Sequence, residues 1–365
     1  MPNELRRKER LERRRQVLRT VLITLGIAGI AVTGLYLLRS FATTLLLVFA
    51  GILFGILLDG AADLVRTGLR LPRWAALTLV VVLLVGAVVG FGWLEGPQVA
   101  HQVQQLGKQL PQSAKLLQSQ LKQTEWGRAV LENLPSLNDA QFSVVSLAGP
   151  VSQVFSVTFE ILGSLLLIFF LGLYLAATPH SYRRGVLILL APEHRPRGRE
   201  VMTSLRTALR WWLLGRAVTM TVMGALTTLA LWLINVPLAL ALGIIAAILL
   251  FVPYLGAVAA AVPACLIALM QSPMKAVWVA LVYTGVHVVE GYTITPYVQR
   301  RAVALPPAML LSVQLLSAAL FGMLGIVFST PLLVVVIVLI QTLYLQDVLG
   351  ERVAVLGEHE QNSTS

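Results

Sequence analysis

The chain has 365 residues, of which 57% are hydrophobic and only 12% are charged. A soluble globule of this length needs more charged side chains to cover its surface, so the composition excludes that class. With a mean hydropathy of +0.80, it predicts an all-α polytopic membrane protein. The net charge of +11 does not indicate a nucleic-acid partner, because the basic residues form short tracts beside apolar segments, with no nucleic-acid motif.

Hydrophobic runs long enough to cross a bilayer recur along the chain, and the first four lie at residues 21–38, 41–58, 74–94 and 155–177. Each supplies the roughly 20 residues that a helix needs to cross the hydrocarbon core. A basic start followed by an apolar run is also the pattern of a signal peptide. The first run is long for that and a second follows at once, which favours retained anchors. With the second half included, we expect about eight membrane segments, some of them broken or re-entrant.

Three arginine-rich stretches predict the orientation. They are residues 1–20, 59–73 and 178–211, and the apolar runs between them bring all three to one side of the membrane. Cytoplasmic loops carry an excess of lysine and arginine, so we expect this side and both termini in the cytoplasm. The expected organisation is a basic segment (1–20), three membrane helices (21–94), an extracytoplasmic helical segment (95–150), a membrane transport core (151–345) with a basic loop (178–211), and a polar tail (346–365).

The polar segment 95–150 is predicted to be a small helical element outside the membrane. Apolar residues from Val99 to Leu121 recur at spacings of three or four opposite a glutamine-rich face, which is typical of an amphipathic helix. Pro111 is expected to kink this helix or divide it in two. We expect the segment to pack against neighbouring copies in a homo-oligomer, or to cap the membrane part. A ligand-binding role is the minority alternative.

Two apolar segments of the second half are broken by glycine and proline at a depth where a membrane helix is normally continuous. The breaks lie at Val252-Pro-Tyr-Leu-Gly256 and Phe321-Gly-Met-Leu-Gly325. Irregular backbone at membrane depth occurs where it is buried in protein or lines a cavity, so the breaks predict a transport pathway within residues 235–331. The arms 238–252 and 257–270 are each too short to span, which favours a hairpin over one kinked helix.

Ionisable side chains are rare in the apolar segments, and two of them lie close together. His287 and Glu290 are three residues apart, hence on one helix face, where they could share a proton during a conformational change. The alternative is a Glu290 at the interface that pairs with Arg300 or Arg301. For the first break, the alternative is a structural turn with Tyr254 at the interface. The candidate pathway residues are Pro253, Tyr254, Gly256, His287, Glu290 and Pro296. The candidates for a hinge or close packing are Gly322, Gly325 and Pro331. The other ionisable groups are Glu160 and, near segment edges, Glu95 and Arg216.

Four stretches of the second half carry motifs in a definite order. They are Phe251-Val-Pro-Tyr-Leu-Gly-Ala257 with Pro263-Ala264, Glu290-Gly-Tyr-Thr-Ile-Thr-Pro296, Arg301-Ala-Val-Ala-Leu-Pro-Pro307, and Leu320-Phe-Gly-Met-Leu-Gly325 with Pro331. In their order and spacing the chain resembles the autoinducer-2 exporter family of bacterial membrane transporters. The resemblance implies a multi-pass protein of the inner membrane. It also implies export of a small signalling sugar derivative, or cation/proton exchange.

No nucleotide-binding loop occurs in the chain, neither Gly-x-x-x-x-Gly-Lys-Ser/Thr nor Gly-x-Gly-x-x-Gly. We therefore expect no cofactor and a secondary transporter. The leading hypothesis is export of a small polar solute, such as the autoinducer-2-like molecule that the resemblance implies, with Glu290 as a proton-sensitive element. The alternatives are a cation/proton antiporter and a non-transporting oligomeric scaffold. Clustered catalytic groups and paired cysteines are absent, so neither an enzyme nor a cysteine-based metal site is expected.

Overall fold

The computed structural model describes residues 40–123, 151–294 and 306–351, which form helices joined by short links, with no strand among them. The all-α prediction is confirmed. The first predicted membrane segment, the second part of the extracytoplasmic segment and most of the tail lie outside the described residues. The helices are α1 (Ser40–Leu69), α2 (Arg73–Leu94), α3 (Gly96–Lys122), α4 (Val151–Ala177), α5 (Pro179–Ile188), α6 (Arg195–Leu233), α7 (Ala239–Leu249), α8 (Leu255–Gln271), α9 (Pro273–Val289) and α10 (Pro307–Leu339).

The long apolar helices show that the protein is embedded in a membrane. Among the described residues, four helices are long and apolar enough to cross one, and α4 with α5 would make a fifth. In α2, Ala76 and Leu77 are the buried residues, whereas Val88 is 66% exposed and Val82 is 59% exposed. A helix that is apolar on all sides and so little buried needs lipid rather than water around it.

Helices α7 and α8 form a hairpin in which the start of α7 lies beside the end of α8. At the end of α8, the Gln271 side chain donates from Nε2 to the carbonyl oxygen of Asn235, which precedes α7, at 3.3 Å. The Lys275 ammonium likewise contacts the carbonyl oxygen of Ile234. The arms have 11 and 17 residues, which makes them roughly 16 and 25 Å long, both short of the ~30 Å hydrocarbon core. The segment is therefore a hairpin that returns to its starting side, and not one kinked helix.

Helix α3 lies against this hairpin. It is continuous through Pro111, so of the two expected outcomes, a kink or a division into two helices, the structure does not show the division. Packing on both sides of the proline keeps the helix in one piece, because Leu106 is 5% exposed and Ser113 is fully buried. The Gln102 side-chain oxygen accepts a hydrogen bond at 3.0 Å from the N–H of Ala241, in the first turn of α7, where an amide has no partner in its own helix. In the described residues, α3 thus packs against the hairpin.

At the opposite end of the bundle, helices occupy two of the predicted loops. α1 continues to Leu69 through most of the arginine-rich stretch 59–73, which leaves residues 70–72 as the link to α2. α5 and the start of α6 occupy much of the basic loop 178–211. The helices can extend through this charged sequence because its carboxylates are paired. Asp59, for example, lies 2.8 Å from a guanidinium nitrogen of Arg73.

Candidate transport site

The hairpin reverses through a strained three-residue turn. Tyr254 has φ +61° and ψ −60°, and the N–H of Leu255 donates to the carbonyl oxygen of Pro253 at 2.7 Å. This is a γ-turn with positive φ, which residues other than glycine rarely adopt. Gly256 follows because a Cβ there would overlap the carbonyl oxygen of Leu249 at the end of α7. Tyr254 therefore carries backbone strain, and Gly256 permits the close approach of the two arms.

A buried amide of α10 holds this turn. Gln314 is 1% exposed, and its Nε2 donates to the carbonyl oxygen of Pro253 at 2.9 Å. From another side, the ring of Phe251 packs edge-on against Trp212 of α6, with centroids 5.7 Å apart. Gln314 was not among the predicted site residues. The signal that could have identified it is an amide within the apolar run of α10.

His287 and Glu290 lie together at the end of α9. Nδ1 of His287 is 2.9 Å from Oε2 of Glu290, and the two side chains are 29% and 17% exposed. Either the ring N–H donates to the carboxylate, or a protonated carboxyl donates its O–H to the ring nitrogen, so the pair can hold a shared proton. Glu290 also starts a π-helical turn, Glu290–Ile294, a distortion that recurs at functional sites.

The guanidinium of Arg216 approaches this pair from α6. Its charge interacts with that of Glu290, and its Nε and Nη2 are buried without a hydrogen-bond partner among the described residues. Arg216 follows Trp212 by one turn, so the hairpin turn and the ionisable pair face the same side of α6. Arg216 was expected near a membrane edge because the segment was predicted to start at Trp211. The structure places it within α6, which begins at Arg195 and not near Trp211.

Tyr283 links the ionisable pair to the hairpin. Its ring lies beside that of His287, with centroids 6.5 Å apart, and it is 5% exposed. It belongs to an apolar cluster that includes Leu242 of α7 and Ala264 of α8. Its hydroxyl is buried without a hydrogen-bond partner in the described part of the chain. Tyr283 was also missed from the sequence, although it precedes His287 by four residues and so shares its helix face.

The second break is a glycine bend within α10. Gly322 has φ +64° and ψ −147°, a conformation close to the region that glycine alone occupies readily, and a Cβ there would have no neighbour within 4 Å. Gly325 packs so closely on the carbonyl oxygen of Ser317 that a Cβ would overlap it. Pro331 lies buried in the following arm. Gly322 thus bends the chain, and Gly325 and Pro331 lie in close packing.

Some of the predicted residues cannot be compared with the structure. Pro296 lies outside the described residues, as do Arg300 and Arg301, the alternative partners of Glu290. The side chain of Glu160 lies outside them as well. Within residues 40–123, 151–294 and 306–351, no group of three or more histidine, cysteine, aspartate or glutamate side chains could hold a metal ion.

Long apolar helices, broken twice around buried polar groups, have the organisation of a polytopic membrane transporter. The chain belongs to the AI-2E family of transporters, because the sequence profile of that family matches residues 22–345. The resemblance noted from the motifs is therefore confirmed.

Individual relatives agree with this assignment. Two proteins of Bacillus subtilis strain 168, provisionally named transport proteins YueF and YrrI, are 23% and 24% identical to the chain over 279 and 275 residues. These matches cover 73% and 72% of this chain and 76% of each relative. A provisionally named transport protein of Synechocystis, sll0060, is 24% identical over 281 residues, which cover 72% of this chain and 77% of the relative.

Proposed function

We propose that the protein is a secondary transporter that exports a small polar solute, such as autoinducer-2, along a pathway beside the hairpin turn. The observation that carries the proposal is a set of polar atoms within membrane helices that lack hydrogen-bond partners among the described residues. Buried polar atoms normally have partners, above all at membrane depth. The atoms are Nε and Nη2 of Arg216, Oη of Tyr283, Oε1 of Gln314 and Oγ1 of Thr330.

The chemistry of these atoms favours a solute rich in hydroxyl and carbonyl groups. The Arg216 guanidinium only donates hydrogen bonds, and the Gln314 side-chain oxygen only accepts them. The hydroxyls of Tyr283 and Thr330 do both. A small sugar derivative can pair with such a mixture of donors and acceptors, and the name of the AI-2E family supports that class of solute.

Glu290 and His287 supply the proton-sensitive element of the proposal. An ionised Glu290 attracts the Arg216 guanidinium and accepts a hydrogen bond from a protonated His287 ring. Protonation of Glu290 removes its negative charge and leaves Arg216 available to the solute. Tyr283, packed against both His287 and the hairpin arms, transmits the resulting shift of the ring to the hairpin. Proton binding and solute binding are coupled through these contacts.

A cation/proton antiporter is the alternative within transport. In the described part of the chain, Glu290 is the carboxylate found at this site, and the charge of Arg216 opposes a bare cation there. A non-transporting oligomeric scaffold is the alternative outside transport. A scaffold has no need of polar atoms without hydrogen-bond partners in its membrane helices, and such atoms lower the stability of the protein.

We further propose that the protein lies in the inner membrane of a bacterium, with both termini in the cytoplasm. The arginine-rich start of α6 and the π-helical turn Ile340–Gln346 that follows α10 lie at the same end of the bundle, because Arg197 donates from Nη2 to the carbonyl oxygen of Thr342 at 2.6 Å. The positive-inside rule assigns such an end to the cytoplasm. We also propose a homo-oligomer, supported by Leu116 and Leu117 of the amphipathic helix α3, which are 38% and 37% exposed.

The proposal is tested by efflux of labelled autoinducer-2 from vesicles that contain the full chain, across a range of internal pH. Glu290→Gln resembles the protonated residue in size and charge, so it should abolish the pH dependence. It should also slow efflux roughly tenfold, because Arg216 then stays available to the solute and Glu290 no longer competes for it, which slows release of the solute. The matched control is Glu193→Gln, because the side chain of Glu193 is 79% exposed outside the long helices.

Wild-type rates and pH dependence in Glu290→Gln would show that this pair does not couple transport. Proton flux driven by a sodium or potassium gradient, without efflux of autoinducer-2, would replace the exporter with the antiporter. Absence of both fluxes from wild-type vesicles, with the protein correctly folded and inserted, would favour the scaffold.

A further inference from the structure

A groove lies on the outer side of the bundle between α2 and α4, and no residue of the hairpin contributes to it. Its volume is about 730 Å³. Apolar side chains such as Leu77, Val81, Phe170 and Leu173 form much of its wall, and Arg73 lines it where α2 begins. An apolar groove of this kind on a helix pair that faces lipid fits a hydrocarbon chain better than a polar solute.

The same end of α2 takes part in a charge network. Arg73 pairs with Asp59 at 2.8 Å, and Arg206 contacts both Asp59 and Asp63. Arg210 pairs with Asp63 at 2.8 Å. The hydrogen bonds that Arg73 makes within the described residues all use Nη2, so its Nε and Nη1 are available to another acceptor. The groove thus ends at a guanidinium of which Nη2 alone makes hydrogen bonds within the described residues.

Arg183 of α5 adds a further guanidinium to this network. The charges of Arg206, Asp59 and Arg73 all act on it, and its Nη2 is buried without a hydrogen-bond partner among the described residues. Four guanidiniums (those of Arg73, Arg183, Arg206 and Arg210) against the carboxylates of Asp59 and Asp63 leave an excess of two positive charges. Partly buried charges of one sign repel each other unless an anion joins them.

At the charged end of the groove, the arrangement of the helices is typical of a membrane surface. α5 turns away from α4 by 87°, and it presents exposed apolar side chains such as Val186 and Ile188 together with two arginines, as helices lying in the interface do. Trp74 and Tyr174, which are 74% and 63% exposed, line the groove near its charged end. Tryptophan and tyrosine are enriched at the level of lipid headgroups.

We infer that this groove binds an anionic phospholipid, with one acyl chain against Leu77, Val81 and Phe170 and the phosphate at Arg73 and Arg183. The phosphate gives the buried Nη2 of Arg183 an acceptor and offsets part of the excess positive charge. A zwitterionic lipid carries its own cation to the same place and is bound more weakly. This inference does not depend on which solute the protein transports.

The test is a lipid titration of the full chain in detergent, with bound lipids counted by native mass spectrometry. Phosphatidylglycerol and phosphatidylcholine with identical acyl chains are compared, and inorganic phosphate is added as a competitor. Phosphatidylglycerol should bind roughly tenfold more tightly than phosphatidylcholine, because both carry the phosphate but the excess positive charge of the network repels the choline cation. Equimolar inorganic phosphate should not displace it, because phosphate lacks the acyl chain.

Two variants separate the phosphate end from the acyl groove. Arg183→Gln should weaken phosphatidylglycerol binding roughly tenfold and phosphatidylcholine binding less, because the choline cation already offsets part of the attraction of the phosphate to the guanidinium. Its control is Arg184→Gln, an exposed neighbour on the same helix. Thr78→Trp, at an exposed position that lines the groove, should weaken binding of both lipids, whereas Val88→Trp, exposed on the same helix outside the groove, should not.

Three results would overturn the inference. Equal affinity for the two lipids would show that the groove does not select an anionic lipid, and displacement of phosphatidylglycerol by inorganic phosphate would indicate a simple anion site. Equal effects of Thr78→Trp and Val88→Trp would show that lipid does not occupy this groove. Unchanged thermal unfolding of each variant in lipid-free detergent excludes a folding defect as the cause of lost binding.

Discussion

The two breaks in the membrane helices are held by different physical means. At the hairpin turn, contacts fix the backbone: a Cβ at Gly256 would overlap Leu249, and Gln314 donates to Pro253. At Gly322 no atom lies within 4 Å of a Cβ position, and only the positive φ requires glycine. The first break is thus built into the packing, and the second depends on local backbone conformation. The first break is therefore suited to be a fixed turn, and the second is suited to be a bend that can move.

The largest expected effect comes from closing the space at the first break. Gly256→Leu forces the arms of the hairpin apart, so we expect a loss of about 4 kcal/mol or more, or failure to fold. Ala259→Leu adds the same side chain at an exposed position of α8 and should have little effect. Expression and thermal unfolding in detergent measure both. Equal stability of the two variants would contradict a sterically fixed turn.

A smaller effect is expected at the second break. Gly322→Ala meets no neighbouring atom, so its cost is conformational strain of roughly 1–3 kcal/mol. Gly285→Ala, in a helix with equally open surroundings, should instead stabilise the protein by about 0.5–1 kcal/mol. Thermal unfolding of the two variants should therefore shift in opposite directions. A stabilising Gly322→Ala would show that the bend does not need positive φ.

The smallest effect is expected from the amide that holds the hairpin turn. Gln314→Leu removes one donor to the carbonyl oxygen of Pro253, which keeps its bond from Leu255, so the loss should be about 1 kcal/mol. Ser312→Ala, exposed on the same helix and bonded only within it, is the control. If Gln314→Leu left both unfolding and autoinducer-2 efflux at the control value, the amide would have no role in holding the turn.

Much of the candidate site could be predicted because its residues are close in sequence. The spacing of His287 and Glu290 places them on one helix face, and glycine or proline within an apolar run indicates a break. Gln314 and Tyr283 were missed, and the interaction of Arg216 with Glu290 was not predicted, because their surroundings are formed by other helices. A single polar residue in an apolar run does not show which neighbours it meets, and that decides whether its polar atoms are paired.

Length, composition and apolar runs by themselves determined that this protein is helical and membrane-embedded, because a bilayer requires long apolar helices with internally paired backbones. The short arms also favoured the hairpin. Tertiary structure alone decided that α3 packs against the hairpin, that Gln314 holds its turn and that Arg216 faces Glu290. Those contacts join segments about 60 to 140 residues apart, and local sequence patterns carry no information on such pairings.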